Sequence, residues 1–200
     1  MTIERPWLSS YTANTPHEID INEFPSIISV LDGAIKDYAD RPAFSNFGKQ
    51  LTYHDIDRLS AQFANYLIHE LKLKKGDRVA LMMPNVLQYP IAIFGVLRAG
   101  LTVVNTNPLY TARELKHQLV DSGASVLLVM ENFAATAEEI IADTKVKQVI
   151  TTGLGDMLPF PKSVIVNFVL KYVKKMIPEY DIPGAIRFKS TDRITVLSVI

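Results

Sequence analysis

Four apolar runs, at residues 78–83, 101–104, 125–130 and 148–152, recur along the chain with a helix-patterned stretch between each neighbouring pair. A run such as RVALMM at 78–83 has no polar face, so it suits a strand covered on both sides. Strands spaced by helices of this length join in parallel through βαβ crossovers. The pattern predicts an α/β fold, a mostly parallel sheet flanked by helices, with a core subdomain over residues 26–156.

The punctuation between these runs agrees with that reading. Ser26 is placed to cap a helix over 27–39, in which Ile27, Val30, Leu31, Ala34, Ile35 and Tyr38 repeat at three and four. Residues 43–46 and 49–51 flank Phe47-Gly48 as a hairpin. Thr52 caps a second helix with help from Asp55, and Ile56, Leu59, Phe63, Tyr66 and Leu67 form its buried stripe. Pro84-Asn85 ends the first apolar run and opens a helix to about Ala99, with Gly100 behind it as C-cap. Residues 105–110 form a loop rich in turn formers, and Thr111-Ala-Arg-Glu114 is a capping box for the helix that Gly123 closes. A further helix is expected over 132–144.

Composition excludes several functions. Lys+Arg and Asp+Glu both total 21, so the formal charge is +0. A nucleic-acid binder would need excess positive charge facing phosphates. There is no cysteine, which removes disulfides, thiol catalysis and thiolate metal sites. The N-terminus lacks a secretory pattern. No run reaches the roughly 18–20 apolar residues that cross a bilayer, since the longest, 89–104, is broken by Arg98, Gly100 and Thr102. Residues 1–25, with Pro6, Pro16 and Pro25, read as an extended arm anchored by Trp7 and Tyr11 on its own domain or on a second subunit.

Chemical motifs are sparse. Gly153-Leu154-Gly155 begins like a dinucleotide fingerprint, but Leu158 stands where the third glycine belongs, so it reads as a glycine turn. His17, His54, His69 and His117 have no ligand spacing and no catalytic partner pattern. Glu138-Glu139 is a solvated helix face. Two stretches retain a functional reading beside a plain one. The loop 105–111 lies at the carboxyl end of a strand and leads into a helix N-terminus, where ligands and anions bind in open α/β sheets; the plain alternative is an ordinary βα turn. The stretch 163–177 is amphipathic, with Lys171, Lys174 and Lys175 on one side and Val164, Ile165, Phe168, Val169, Tyr172 and Met176 opposite. It either covers its own domain or lies on an anionic membrane or partner.

Several segments together carry a resemblance: RPAFSNFGKQLTYHDIDRLSAQFANYL, GDRVALMMPN, LRAGLTVVNTNPLYTARELKHQLVDSGA and VNFVLKYVKKMIPEYDIPGA, with PWLSSY near the start. In order and spacing they resemble the N-terminal part of bacterial long-chain fatty acid–CoA ligases, members of the adenylate-forming acyl-CoA synthetase superfamily. The resemblance covers about residues 5 to 188. It implies the first α/β subdomain of an adenylate-forming N-terminal domain, followed by a basic helix and a C-terminal segment over 157–200. It also implies a two-step reaction: a fatty acid and ATP give acyl-AMP and pyrophosphate with Mg²⁺ screening the phosphates, then the CoA thiol takes the acyl group. The family's phosphate loop, approximately Y-T-G-G-T-T-G, and its catalytic lysine do not occur here. The expectation is an N-terminal fragment with no catalytic residue of its own, inactive alone; the alternative is a non-catalytic membrane- or partner-binding module. By the resemblance, Asn107, Pro108, Tyr110 and Thr111 line a CoA path. By the same resemblance, the helix that carries Lys171, Lys174, Lys175, Phe168 and Tyr172 faces a membrane or an acyl entry. The implied setting is the cytoplasm, peripheral on the inner membrane, with a homodimer as a further expectation.

Overall fold

The computed structural model describes residues 4–189, so the expectation for the segment 190–200 falls outside it. The apolar runs form one sheet. β3 (Arg78–Met82), β4 (Thr102–Asn105), β5 (Val126–Met130), β6 (Gln148–Thr152) and β7 (Ile186–Arg187) lie in the order β4-β3-β5-β6-β7, every pair parallel. Val79 stands beside Val103 on one side and Val126 on the other. β7 was not expected; two residues are too few to show a period.

Alternation along each strand divides the core in two. Val79, Leu81, Val126, Leu128, Met130 and Ile150 point to one face. There they meet α1 (Ile27–Tyr38), α2 (Tyr53–Asn65) and α3 (Gln88–Arg98). Ala80, Met82, Leu127, Val129 and Val149 point to the other. There they meet Leu115 and Leu119 of α4 (Ala112–Ser122) and Ala134, Ala137 and Ile140 of α5 (Ala134–Ile141). Apolar side chains therefore leave both faces of β3 and β5, as their lack of a polar face requires.

The capping residues act as their sequence suggests. Ser26 caps α1, in a box completed by Ser29, and Thr52 with Asp55 caps α2. In the hairpin of β1 (Pro42–Asn46) and β2 (Lys49–Thr52), Phe47 and Gly48 both have positive φ, the mirror-image turn whose twist matches paired strands. α2 and α3 pack closely because Gly95 has no side chain: a Cβ there would meet the Phe63 ring at 2.8 Å and the Ser60 carbonyl at 3.0 Å. Arg98 then ties α3 to Asp57 at 2.7 Å and to Asp32 at 3.3 Å.

Some helix limits differ from expectation for local reasons. Residues 84–87 form turns, with Val86 N–H on the Pro84 carbonyl and Tyr89 N–H on that of Val86, so α3 starts at Gln88. A 3₁₀ turn, Glu131–Phe133, precedes α5, and i→i+3 bonds at Asp143 and Thr144 end it early. The helix expected over 163–177 is two pieces, α6 (Lys162–Phe168) and a π turn, Val169–Val173. The wider turn ends the helix before Lys174 and Lys175; Lys175 has positive φ, and Pro178 follows. The N-terminal arm departs from expectation too. Trp7 is 51% and Tyr11 42% exposed, so neither anchors it; it is held by local contacts such as the Arg5–Glu18 pair and the edge of Tyr11 against His17.

Candidate functional site

The loop 105–111 leaves the carboxyl end of β4, the edge strand. Its path is fixed by its own polar groups. Thr106 N–H donates to the Leu81 carbonyl at 3.0 Å, holding the strand exit against β3. The Asn107 side-chain oxygen accepts from Leu109 N–H at 3.0 Å, and the Asn107 carbonyl from Tyr110 N–H at 3.2 Å, which builds the turn around Pro108. The Thr111 hydroxyl accepts from Glu114 N–H at 3.4 Å and donates to the Glu114 carboxylate at 2.7 Å; that carboxylate also takes Thr111 N–H at 2.8 Å. The bonds from Thr111 hold the Glu114 carboxyl below its ordinary value.

Two of the four sequence candidates are thereby committed. Asn107 and Thr111 spend their side chains on the backbone turn and the helix cap. Leu109, 79% exposed, is the most open of the loop's apolar side chains, while Pro108 and Tyr110 beside it are half-buried and Tyr110 packs against the core. Tyr110 also borders an open cleft of about 280 Å³ with Glu114, His117, Gln118 and Asp121. At the α4 N-terminus the Thr111–Glu114 box takes the N–H groups of Thr111 and Glu114.

The sheet order turns back between β3 and β5, since the chain passes from β3 to β4 on one side and then to β5 on the other. Open α/β sheets bind ligands at such a switch point. In this chain a polar network that no sequence motif marks lies beside it. Gln88, 1% exposed, donates to the Thr152 hydroxyl at 3.1 Å and the Gly153 carbonyl at 2.8 Å. The buried Asp156 carboxylate accepts Gly153 N–H and the Asn167 amide, each at 2.8 Å, while the Asn167 oxygen accepts Gly155 N–H at 2.8 Å. Arg187 reaches Asp156 at 3.4 Å and pairs with Glu131, which also accepts the Tyr180 hydroxyl at 2.9 Å. Burial works against the Arg187 charge, but the carboxylates of Asp156 and Glu131 raise its pKa; burial and the Glu131 contact both raise that of Tyr180. These groups satisfy one another and join β5, β6, α6 and β7. The available signals were a glutamine inside an apolar helix pattern and an aspartate just behind the glycine turn.

An apolar cleft of about 380 Å³ opens between the hairpin and the start of α3, walled by Phe44, Val86, Tyr89, Pro90, Ile93 and Phe94. Tyr89 donates to Asn105 at 2.7 Å, which links this cleft to the start of the 105–111 loop. On the membrane-facing candidates, Phe168 and Tyr172 have rings 5.0 Å apart and both are exposed. Lys171 lies over the Tyr172 ring at 5.7 Å. Lys174 and Lys175 are exposed past the π turn. The reading in which this helix covers its own domain does not hold for Val164, Ile165, Phe168, Tyr172 or Met176, each more than half exposed.

A parallel sheet wound outward in both directions from its middle, with helices on both faces, is of the doubly wound α/β class. Residues 31–187 match the model of the AMP-binding enzyme family, and the chain belongs to that family. A long-chain-fatty-acid–CoA ligase of Escherichia coli O6:H1 is 50% identical over 188 residues, 94% of this chain and 34% of that protein. The chain spans about a third of the length of the curated relatives it matches. Among solved structures, an anthranilate CoA ligase in complex with anthranoyl-AMP shares the fold with TM-score 0.66 at 18% identity, over 83% of this chain and 27% of that one. A long-chain-fatty-acid-CoA ligase from Archaeoglobus fulgidus matches with TM-score 0.56 at 26% identity, over 60% of this chain and 26% of that one. These matches bear out both the α/β expectation and the resemblance to bacterial long-chain fatty acid–CoA ligases.

Proposed function

We propose that this chain is the first α/β portion of an ATP-dependent long-chain fatty acid–CoA ligase, which joins a fatty acid to CoA through an acyl-AMP and releases AMP and pyrophosphate. The observation that carries the reading is the 50% identity running through 94% of the chain. Its role within such an enzyme is to supply a rigid sheet and one wall. Among the described residues no three His, Asp or Glu side chains are placed to hold a metal ion. In this reading the groups that hold ATP and Mg²⁺ come from the remainder of such an enzyme.

CoA is different, because it needs a surface to pass along. In this reading Pro108 and Tyr110 face the CoA path, while Asn107 and Thr111 hold the loop that presents them. Tyr110→Ala, in a chain of the relatives' length, raises KM for CoA several-fold and leaves KM for ATP and fatty acid unchanged; an unchanged KM for CoA removes the loop from that path. The ligase reading itself is tested by mixing the purified 200-residue chain with oleate and ATP. No acyl-AMP and no pyrophosphate should form, and extending the chain to the relatives' length should restore thioester formation. Acyl-AMP made by the 200-residue chain, or no thioester from the extended one, overturns it.

A further inference from the structure

We propose that the apolar cleft between the β1–β2 hairpin and α3 binds one alkyl chain, and that Tyr89 relays its occupancy to the loop 105–111. The proposal rests on the ligase reading for the source of the chain, since such an enzyme meets long acyl groups as substrate and as product. Helix α3 is apolar on two sides. Ile91, Ala92 and Val96 are buried against the core, while Tyr89, Pro90, Ile93 and Phe94, further round the helix, wall the cleft. A helix that is apolar all round is normally covered on every side. Here the second side opens into a space of about 380 Å³, where Ile93 and Phe94 stay half-buried and Phe44 of β1 supplies the hairpin's wall. Ligand pockets span about 300–1,000 Å³ and are lined mainly by apolar and aromatic side chains with a few polar groups, and this cleft is a small one of that kind.

Charge selects the occupant. The polar members of the wall are Ser45, Asn46 and Asn85, all neutral, and the Asn46 amide donates to the Asn85 carbonyl at 3.4 Å, linking the hairpin to the approach of α3. Among the described residues no lysine, arginine, aspartate or glutamate lines the cleft. Burial raises the Tyr89 pKa, so its phenol stays uncharged. A carboxylate or phosphate placed inside would lose its water and gain no counter-ion. Each methylene placed there gains by leaving water. The occupant is therefore the uncharged tail of an amphiphile, with its polar end left at the mouth. A protein partner would need a broader surface than one cleft, about 800 Å² on each side. The relay follows from one bond. Tyr89, which walls the cleft, donates to the Asn105 side chain at 2.7 Å, and Gln118 holds the Asn105 carbonyl at 3.0 Å. Asn105 ends β4 and the loop begins there, so a ligand that displaces the Tyr89 ring pulls on the loop's first anchor.

The test is an NMR titration of the isotope-labelled 200-residue chain, and of the same chain at the relatives' length, with dodecanoate and with dodecyl maltoside, each below its micelle concentration. Both amphiphiles should saturate one site with similar affinity and little response to salt, because the wall carries no charge. Decanoate should bind about fifteenfold more weakly than dodecanoate, about fourfold for each methylene lost. The Ile93 methyl and the amides of Thr106, Leu109 and Tyr110 should shift together. Phe44→Ser, at an exposed strand position, should weaken binding about tenfold with an unchanged circular dichroism spectrum. Tyr89→Phe keeps the wall and removes only the bond to Asn105, so it should bind like the parent while the loop amides stay still. No saturable binding, or shifts that leave Ile93 unmoved, overturns the site; loop amides that still shift in Tyr89→Phe overturn the relay. Binding by the 200-residue chain but not by the longer one also overturns the proposal, and assigns the cleft to the remainder of the enzyme. ATP and CoA are absent throughout, so failure of the ligase reading shows separately, as missing thioester.

Discussion

Replacing Gln88 with methionine tests whether the buried network beside the sheet's switch point holds the fold together. The two side chains have similar length, so packing changes little and the loss is the amide's bonds. Gln88 makes two of them, to the Thr152 hydroxyl at 3.1 Å and the Gly153 carbonyl at 2.8 Å, at a site 1% exposed. Each is worth about 1 kcal/mol net. Neither acceptor is wholly orphaned, because Thr152 retains a 3.4 Å contact with Asp156 and the Gly153 carbonyl retains Asp156 N–H at 3.1 Å. The desolvation penalty for a stranded polar group is thus largely avoided, and the total stays near 2 kcal/mol. With a urea slope of about 2 kcal/mol per M, the unfolding midpoint followed by far-UV circular dichroism should fall by about 1 M. Adding Thr152→Val should cost less in the Gln88→Met background than alone, by about 1 kcal/mol, because the two residues share a bond. Gln88→Glu should be worse than methionine at neutral pH, since it turns a carboxylate toward a carbonyl, and should recover as acid neutralises it. A midpoint shift below about 0.2 M for Gln88→Met would refute the argument that these bonds carry stability.

Other residues give equally direct tests. Thr111→Ala removes the α4 cap and should destabilise the chain by about 1 kcal/mol in the same urea assay. Glu114 has a depressed folded pKa, so its contribution is present above its ordinary value near 4.5 and fades as pH falls through the lower folded one; Glu114→Gln should flatten that part of the stability–pH curve. Gly95→Ala gains about 1 kcal/mol of helix propensity but forces a Cβ against Phe63 and the Ser60 carbonyl, an overpacking cost of about 1–3 kcal/mol; a net loss in thermal stability is expected, and a gain would show that α2 and α3 can part freely. Arg187→Leu leaves Asp156 and Glu131 without their cation and should cost about 3 kcal/mol, whereas Arg187→Lys should recover part of it, both read from urea midpoints.

Where a residue's neighbours along the chain settle its environment, the sequence was sufficient. The apolar character of 79–82 and 126–130 foretells strands with both faces covered, and the Thr52–Asp55 and Thr111–Glu114 boxes foretell two helix starts to the residue. The hairpin at Phe47-Gly48 was legible for the same reason. What escaped was made by distant partners. β7 exists because Ile186 and Arg187 pair with Ile150 and Thr151, and no two-residue pattern can announce that. Gln88, Asp156 and Arg187 come from three separate segments, and their association depends on the strand order. The helix over 163–177 was drawn too long because a π turn shifts every later side chain off the 3.6-residue period, so Lys174 and Lys175 are not on the helical face assigned to them. Of the loop candidates, Asn107 and Thr111 were chosen for chemistry that the structure spends on the backbone itself.

The helix behind that loop is pinned at both ends. At its C-terminus Arg78 donates to the Ser122 carbonyl at 3.1 Å and to that of Gly123 at 2.7 Å, where Gly123 takes the left-handed conformation. At the other end the Thr111–Glu114 box closes the first turn, and from the middle of the helix Gln118 holds the Asn105 carbonyl at 3.0 Å while Lys116 reaches Asp143 on the neighbouring helix's exit at 2.7 Å. Leu109 therefore sits on a mount that does not depend on what it is, with Pro108 in the turn and Tyr110 packed against the core beneath it. The mount behaves like a tool holder: the bit can be exchanged while the shank stays clamped. Variation at Leu109 can retune what the edge of the sheet touches at little cost in folding, and selection on that contact can proceed almost independently of selection on the core.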